Sequence, residues 1–573
     1  VGLVATALLA GCAPGKTDRA IAQHIKRSLV GRFPWSHLPT VDDDDIQPLL
    51  RRFYRARRYR PAWVHATGPS AQAREMLKRF AHARDHGLDP DDYELDDLKR
   101  MMKHSGWGLP VGPEGDPRAL AALDVELSRN ALKYAIHVTS GQVDPRELPA
   151  DWHFPRRRAD VVAVLEQALT QHRVVAALDE LEPRDPRYVE LQKALVRYRT
   201  FATEHGRWPR VAPGPTLRRG QSGARVDSLR ARLMATEDLP AGSLVHGSFD
   251  AATEAAVRRF QSRHGLVGDG VVKTADVEQL DVTLARRIRQ IELNLERWRW
   301  LPDSLLGDRY LLVNVPDFTL QVFEGGRPSL SMRVVVGKQY SRTPLFTDEI
   351  SYLVFNPYWN IPPTIAAQEI LDEIKHDPDY LTKNGMRVFE SDAADAREID
   401  PKSVYWWAFS PQTFSYSIRQ DPGPQNPVGH VKFMCPNQFD VYLHDTPAGH
   451  LFDRRERDFS HGCIRVEHPV DLAELLLGDV PGWSRHHITA AFDSSHNEAV
   501  KLRRPMPVFI LYWTSWVDSQ GLVNFRDDVY ELDAMLQQCL RRRGRPDIRT
   551  LLTPVITSPP AHDAPAAFSP STR

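Results

Sequence analysis

The sequence changes its period near residue 309. From there β-branched and aromatic runs dominate: Tyr310 to Val315, Thr319 to Phe323, Met332 to Val336 and Tyr352 to Phe355, cut by Pro316-Asp317 and Gly325-Gly326. Such runs, bounded by turn residues, predict strands. Val508 to Tyr512 adds one more. Before 309 the apolar residues recur at helical spacing instead, as in Ile46, Leu49, Leu50, Phe53 and Tyr54, and again in Leu120, Leu123, Leu127 and Tyr134. The chain therefore reads as a helical half followed by a mostly β domain, a multidomain α+β protein. Its 573 residues leave room for about four domains.

Charge narrows the function. The 74 basic and 74 acidic side chains cancel, which argues against nucleic acid, a partner that demands a basic surface. No apolar run reaches the roughly 18 residues of a membrane span. Four cysteines are too few for a disulfide scaffold in a chain of this length.

One of those cysteines sits in a reactive setting. Ser460-His461-Gly462-Cys463, with His444 upstream, reads as a cysteine nucleophile and its base. A thiol attacks only as thiolate, and an unperturbed one is mostly protonated at neutral pH. An imidazole can take that proton and return it to a leaving amine. Glycine before the cysteine permits a tight turn whose main-chain N–H groups, around Gly462 and Cys463, face a developing oxyanion. His461 is expected to shape that turn.

The surrounding residues carry a pattern. Tyr442-Leu443-His444-Asp445-Thr446-Pro447 followed by Phe459-Ser460-His461-Gly462-Cys463-Ile464-Arg465-Val466 resembles the signature of the L,D-transpeptidases, the YkuD-type catalytic domain. Val336-Gly337-Lys338, Arg342-Thr343-Pro344 and Asn356-Pro357-Tyr358-Trp359-Asn360-Ile361-Pro362 extend the agreement, and the whole is similar to the large, multidomain YcbB-like branch. The resemblance implies a mostly β catalytic domain at 309–535 with a helical, mobile lid at about 364–428. Cys463 would be the nucleophile and His444 the base. The Ser460 hydroxyl or the Asp445 main-chain carbonyl would orient the imidazole. Tyr442, Asp445 and Arg465 are expected at the substrate, although a structural ion pair is an equal reading for Arg465. The implied partner is the peptidoglycan stem peptide, with no metal and no organic cofactor. A diaminopimelate carbonyl would be attacked, D-Ala expelled, and the acyl group passed to a second diaminopimelate amine.

The rest of the chain divides around that domain. Val1 to Ala10 is small and apolar and runs into Leu9-Ala10-Gly11-Cys12, which resembles a bacterial lipobox with Cys12 as the lipidated residue; the bland alternative is an apolar terminus with an incidental cysteine. Two acyl chains there would anchor the protein to a membrane in the periplasm of a Gram-negative bacterium. Residues 13–40 read as a tether and 41–205 as a helical scaffold. Residues 210–282 look like a small three-helix peptidoglycan-binding module, on the order of Phe260-Gln261, Gly265-Leu266, Asp269-Gly270 and Thr274. That module would hold glycan strands or serve as a spacer. A helical link follows at 283–308, and 541–573, rich in Arg, Pro and Ser, reads as a disordered tail.

Two other classes stand beside the thiol enzyme. His444, His461, Cys463 and His468 are zinc-ligand types, which would suit a zinc-dependent peptidoglycan peptidase, but the chain has neither His-Glu-x-x-His nor Cys-x-x-Cys. A non-catalytic cell-wall-binding lipoprotein would not need an intact His444, His461 and Cys463. Cys435 is expected as a buried inert thiol, with a reversible bridge to Cys463 as the alternative.

Overall fold

The computed structural model describes residues 15–30, 41–105, 115–148, 152–303, 307–393, 395–494 and 496–542. Cys12 and nearly all of the expected tail, 543–573, lie outside the described residues.

The N-terminal half is helical: α1 (Lys16–Val30), α2 (Val41–Ala56), the small hairpin β1 (Val64–His65) and β2 (Gly68–Pro69), α3 (Ala71–Ala81), α4 (Leu95–His104), α5 (Pro117–Ser140), β3 (Trp152–His153), α6 (Val161–Thr170), α7 (Val174–Asp179) and α8 (Pro186–His205). Helix α1 corrects the expected tether. Its Ile21, Ile25 and Leu29 recur every four residues, form one apolar stripe and are buried against α5. A buried carboxylate pins the hairpin: Asp124 accepts the Ala62, Trp63 and Val64 N–H groups at 2.9, 2.7 and 3.1 Å and the Tyr54 hydroxyl at 2.6 Å. Burial pushes its pKa up, so these donors are what keep the charge tolerable there.

Next come α9 (Ala224–Ala235), α10 (Ala251–Arg263) and α11 (Thr274–Asp281), a unit with its own core of Val226, Leu229, Leu233, Ala256, Val257 and Phe260. Asp250 caps α10, accepting the Thr253 N–H at 2.8 Å. Arg263 forms a buried pair with Asp238 at 2.5 Å and donates onward to the Val523 carbonyl at 2.7 Å, which ties the unit to the β domain. Helix α12 (Leu284–Trp300) buries Trp298 and Trp300, while Arg297 meets Asp533 at 2.5 Å. Its alternating aromatics and arginines thus serve packing.

The β domain runs through β4 (Arg309–Asn314), β5 (Thr319–Glu324), β6 (Arg327–Gly337) and β7 (Leu345–Phe355) into an insertion. That insertion holds β8 (Trp359–Asn360), α13 (Pro363–Ile365), a π-helical turn at Ala366–Ile370, α14 (Leu371–His376), α15 (Tyr380–Lys383), β9 (Met386–Phe389), β10 (Glu398–Ile399) and β11 (Ser417–Gln420). The expected helical lid is therefore mixed. Its strands pair antiparallel in the order β10-β9-β11-β8 over a separate core that includes Ile361, Leu371, Ile374, Val388 and Ile418. Short two- to four-residue strands leave little periodicity to read, which is why the sequence hid them.

Strands β12 (Val431–Met434), β13 (Leu443–His444), β14 (Asp458–Ser460), β15 (Ile464–Val466), helices α16 (Pro469–Leu477) and α17 (Arg485–Asp493), and the long β16 (Glu498–Leu511) complete the sheet. Its order is β12-β13-β15-β6-β5-β4-β16-β7-β3, and β12 also pairs with β7, so the sheet closes on itself. Hairpin β17 (Ser515–Val517) and β18 (Val523–Phe525) and helix α18 (Leu532–Arg542) follow. The scaffold does not end cleanly at 205. Strand β3 joins the sheet beside β7, and Tyr188, Leu191, Ala194 and Leu195 of α8 belong to the same core as the barrel strands.

Candidate active site

Three strands set the site. His444 on β13 stands between Lys432 on β12 and Arg465 on β15 in register. Leu443 and Ile464 are fully buried in the core, so alternation turns Tyr442, His444, Cys463 and Arg465 to the opposite face. There all four line one cavity of about 470 Å³, together with Ser460 and His461.

His444 is buried, and its Nδ1–H donates to the Asp445 carbonyl at 2.5 Å. A carbonyl can only accept, which fixes the proton on Nδ1 and leaves the Nε2 lone pair available. Burial, then the nearby Arg465 and Lys432, push the imidazole pKa down to about 3. Its partner is anchored in turn: the Asp445 carboxylate accepts the His430 N–H at 2.8 Å, His430 Nδ1–H at 3.0 Å and the Thr446 N–H at 2.7 Å. Asp445 was expected at the substrate; its carboxylate is instead spent on His430 and its carbonyl on His444. The two candidate orienting groups are thereby separated. Ser460 has another task.

The Ser460 hydroxyl donates to the Cys463 carbonyl at 2.5 Å and accepts the Gly462 N–H at 3.1 Å, closing the turn on itself. This corrects the expectation that the Gly462 N–H faces an oxyanion, because Ser460 holds it. Gly462 has φ 119°, a conformation that L side chains rarely adopt. Its carbonyl is braced by Thr343 Oγ1 at 2.8 Å, and Thr343 Oγ1 also accepts the Gly337 N–H at 2.9 Å. Burial raises the Cys463 thiol, against the opposing pull of the Tyr442 N–H, Lys432, the Tyr442 hydroxyl and Arg465. The thiol proton points to the Asp440 carbonyl at 3.8 Å. At rest the cavity is thus lined by a neutral thiol and a neutral imidazole.

The four zinc-ligand types do not converge. His444 uses Nδ1 on Asp445, His461 Nε2 lies 2.7 Å from Glu369 Oε1, and His468 Nε2 lies 3.7 Å from Glu467. Among the described residues no group of three or more His, Cys, Asp or Glu is arranged to hold a metal ion. Cys435 is buried and unbridged, its thiol donating to the Val441 carbonyl at 3.6 Å, and burial pushes it up to about 12.

Residues 308–491 match the family model described as the L,D-transpeptidase catalytic domain, YkuD, and the cavity lies inside that span. This chain carries an L,D-transpeptidase catalytic domain. Residues 48–195 match a scaffold domain, and 222–280 match a "Putative peptidoglycan binding domain", so the L,D-transpeptidase domain is preceded by both expected units.

A curated protein of Haemophilus influenzae, named "Putative L,D-transpeptidase", is 33% identical over 248 residues, which cover 43% of this chain and 49% of that protein. The Zinc D-Ala-D-Ala carboxypeptidase of Streptomyces albus G is 38% identical over 65 residues, 11% of this chain and 26% of that protein. The chain thus spans about half or less of the length of the curated relatives it matches. A solved L,D-transpeptidase from Mycobacterium smegmatis overlaps with TM-score 0.17 and 12% identity, covering 36% of this chain and 58% of that one.

Three residues of the L,D-transpeptidase domain escaped the sequence reading of roles. Thr343 lay inside a quoted motif but had no task until its hydroxyl met the Gly462 carbonyl. Glu369 comes from the insertion, 92 residues away from His461. Lys432 gave no signal, since its place beside His444 depends on strand pairing alone.

Proposed function

We propose that this chain is a peptidoglycan L,D-transpeptidase in which Cys463 is the nucleophile and His444 the general base. The observation that carries the reading is the His444 Nδ1–H bond to the Asp445 carbonyl, which presents an unprotonated Nε2 in the cavity that Cys463 lines. The thiol proton passes to Nε2 as Sγ attacks the carbonyl carbon of the third stem residue, a diaminopimelate. The Sγ–C bond forms, and negative charge gathers on the carbonyl oxygen, for which the Cys463 N–H is the candidate donor once Ser460 has taken the Gly462 N–H. Collapse breaks the C–N bond to D-Ala, whose amine takes the proton from His444. The thioester is then attacked by the side-chain amine of a second diaminopimelate, His444 accepts its proton, and the thiol is restored.

Peptidoglycan is the partner on this reading, with stem peptides in the cavity and glycan strands at the module of residues 222–280. The lipobox-like Leu9-Ala10-Gly11-Cys12 supports a lipid-anchored protein in the periplasm of a Gram-negative bacterium. The insertion at 361–420 would cover the stem as a lid, since Thr364, Ile365, Gln368 and Glu369 form part of the cavity wall.

Incubation with disaccharide-tetrapeptide and mass spectrometry of the products tests the reading. A cross-linked dimer that has lost one D-Ala is expected. Monomer that has lost D-Ala without a dimer would make water the acceptor. Untouched tetrapeptide would overturn the proposal.

A further inference from the structure

Two cations flank His444, and among the described residues neither forms an ion pair with a carboxylate. Lys432 and Arg465 are its register partners on either side, so the three side chains form one row across β12, β13 and β15. Lys432 Nζ donates to the Tyr358 carbonyl at 3.1 Å and lies 4.6 Å from the Tyr442 ring centre. Arg465 lines the cavity, and its Nε is buried with no hydrogen-bond partner. The Cys463 sulfur is the ionisable group that favours the charged form of each, while His444 lies between them.

The acidic side chains nearby are committed or turned elsewhere. Asp445 is held by His430 and Thr446, and Glu369 by His461. Asp440 lines the same cavity, its carbonyl facing the Cys463 thiol. Burying a cation without a counter-charge is costly, and burial does push Lys432 down to about 8 and Arg465 below its usual range. In the folded protein the Tyr358 carbonyl and the Tyr442 ring offset part of that cost for Lys432, whereas Arg465 Nε is left without a partner. An anion arriving with the substrate would offset the rest.

We propose that Arg465 is the receptor for a carboxylate of the donor stem, with Lys432 adding positive field from the far side of His444. This rests on the function proposed above, whose tetrapeptide donor carries carboxylates at the D-Ala terminus and at the diaminopimelate side-chain end. The planar guanidinium offers paired N–H donors that suit a carboxylate, and a short ammonium could not replace that fork fully. The receptor also links binding to base strength. Both cations disfavour a proton on His444, and a bound carboxylate cancels part of their field. The imidazole becomes a better base only when a donor is seated.

The test uses two small probes of the same thiol on the full chain. Iodoacetate carries a carboxylate and iodoacetamide does not, and both alkylate Cys463 with loss of iodide. The ratio of their rate constants at Cys463 is compared with the same ratio for glutathione in the same buffer. A wild-type ratio about tenfold above that of glutathione is expected, the effect of one charge-assisted hydrogen bond. Arg465→Gln should return the ratio to the glutathione value, and Arg465→Lys should keep part of the preference. A wild-type ratio equal to that of glutathione overturns the proposal, and this arm needs no variant to fold. Equal ratios in wild type and a folded Arg465→Gln, checked by circular dichroism, overturn it as well.

Two modified donors identify the carboxylate. One tetrapeptide is amidated at the D-Ala terminus, the other at the diaminopimelate side-chain carboxyl. The one that Arg465 reads should raise KM in wild type and leave KM unchanged in Arg465→Gln. Unchanged KM for both donors in wild type overturns the receptor. If unmodified tetrapeptide is never turned over, the functional reading falls, while the alkylation ratio still decides whether Arg465 receives a carboxylate.

Discussion

Glu369 Oε1 lies 2.7 Å from His461 Nε2, so a residue of the insertion touches the turn that carries the candidate nucleophile. Glu369 sits on the π-helical turn Ala366–Ile370, a widened turn of the kind often found at functional sites. The contact joins the separately cored insertion to the Ser460-His461-Gly462-Cys463 turn. Both side chains are partly exposed, so the contact contributes less than about 1 kcal/mol. Glu369→Ala should accordingly lower kcat/KM by no more than a few-fold while quickening proteolysis within 361–420. Equal proteolysis rates in variant and wild type would show that the contact does not hold the insertion down.

The neutral imidazole of His444 makes stability depend on pH. Its pKa is depressed to about 3 in the folded protein, against about 6.5 in an unfolded chain. Below pH 6.5 the unfolded state binds more protons, so stability is present in full above that pH and falls on acidification towards 3. With about 1.4 kcal/mol per unit, this one residue removes up to about 3 kcal/mol between pH 7 and pH 4. Urea midpoints at those two pH values should therefore fall further apart in wild type than in His444→Gln. Equal differences would show that the imidazole is not buried as a neutral group.

The proposed nucleophile, Cys463, can be tagged. A carbapenem presents a strained, activated carbonyl, and intact mass should show one covalent adduct on wild type and none on Cys463→Ala. Cys435→Ala should still react, because that buried thiol is raised to about 12 and faces Val441. An adduct that survives Cys463→Ala would move the nucleophile elsewhere.

A thiol route needs no metal. Saturating EDTA should leave turnover of a tetrapeptide unchanged, and loss of activity restored by zinc would point to a metallopeptidase instead.

Thr343 holds the Ser460-to-Cys463 turn from behind. Thr343→Val keeps the shape but leaves the Gly462 carbonyl and the Gly337 N–H without this hydroxyl, at a cost of about 1–3 kcal/mol in stability. Because Gly462 also positions the Cys463 N–H, kcat should drop with little change in KM. A variant with wild-type kcat and a lower melting temperature would confine Thr343 to a structural role.

Much of this was legible because it lay within short stretches. The strand runs from Tyr310 and from Thr319 appear as β4 and β5, and the Ser460-to-Cys463 string forms one turn. Helix α1 escaped because its stripe, Ile21, Ile25 and Leu29, is set among charged and polar residues in Lys16–Val30. The insertion was read as helical because its strands are too short to show alternation. Glu369, Lys432 and the choice between Asp445 and Ser460 depended on long-range pairing and on which lone pair meets which donor. A linear string encodes neither.

The resting charge state of the Cys463–His444 pair has a chemical consequence beyond turnover. Peroxides oxidise thiolates far faster than thiols, and susceptibility follows thiolate character. Cys463 is kept as its acid by burial, and His444, being hard to protonate, does not draw the proton off in an empty site. On the proposed mechanism the thiol would be stored in an oxidation-resistant form and exposed as a reactive anion only during turnover. A chain that works where oxidants are abundant would gain durability from that, since sulfinic and sulfonic acids at Cys463 would end its working life.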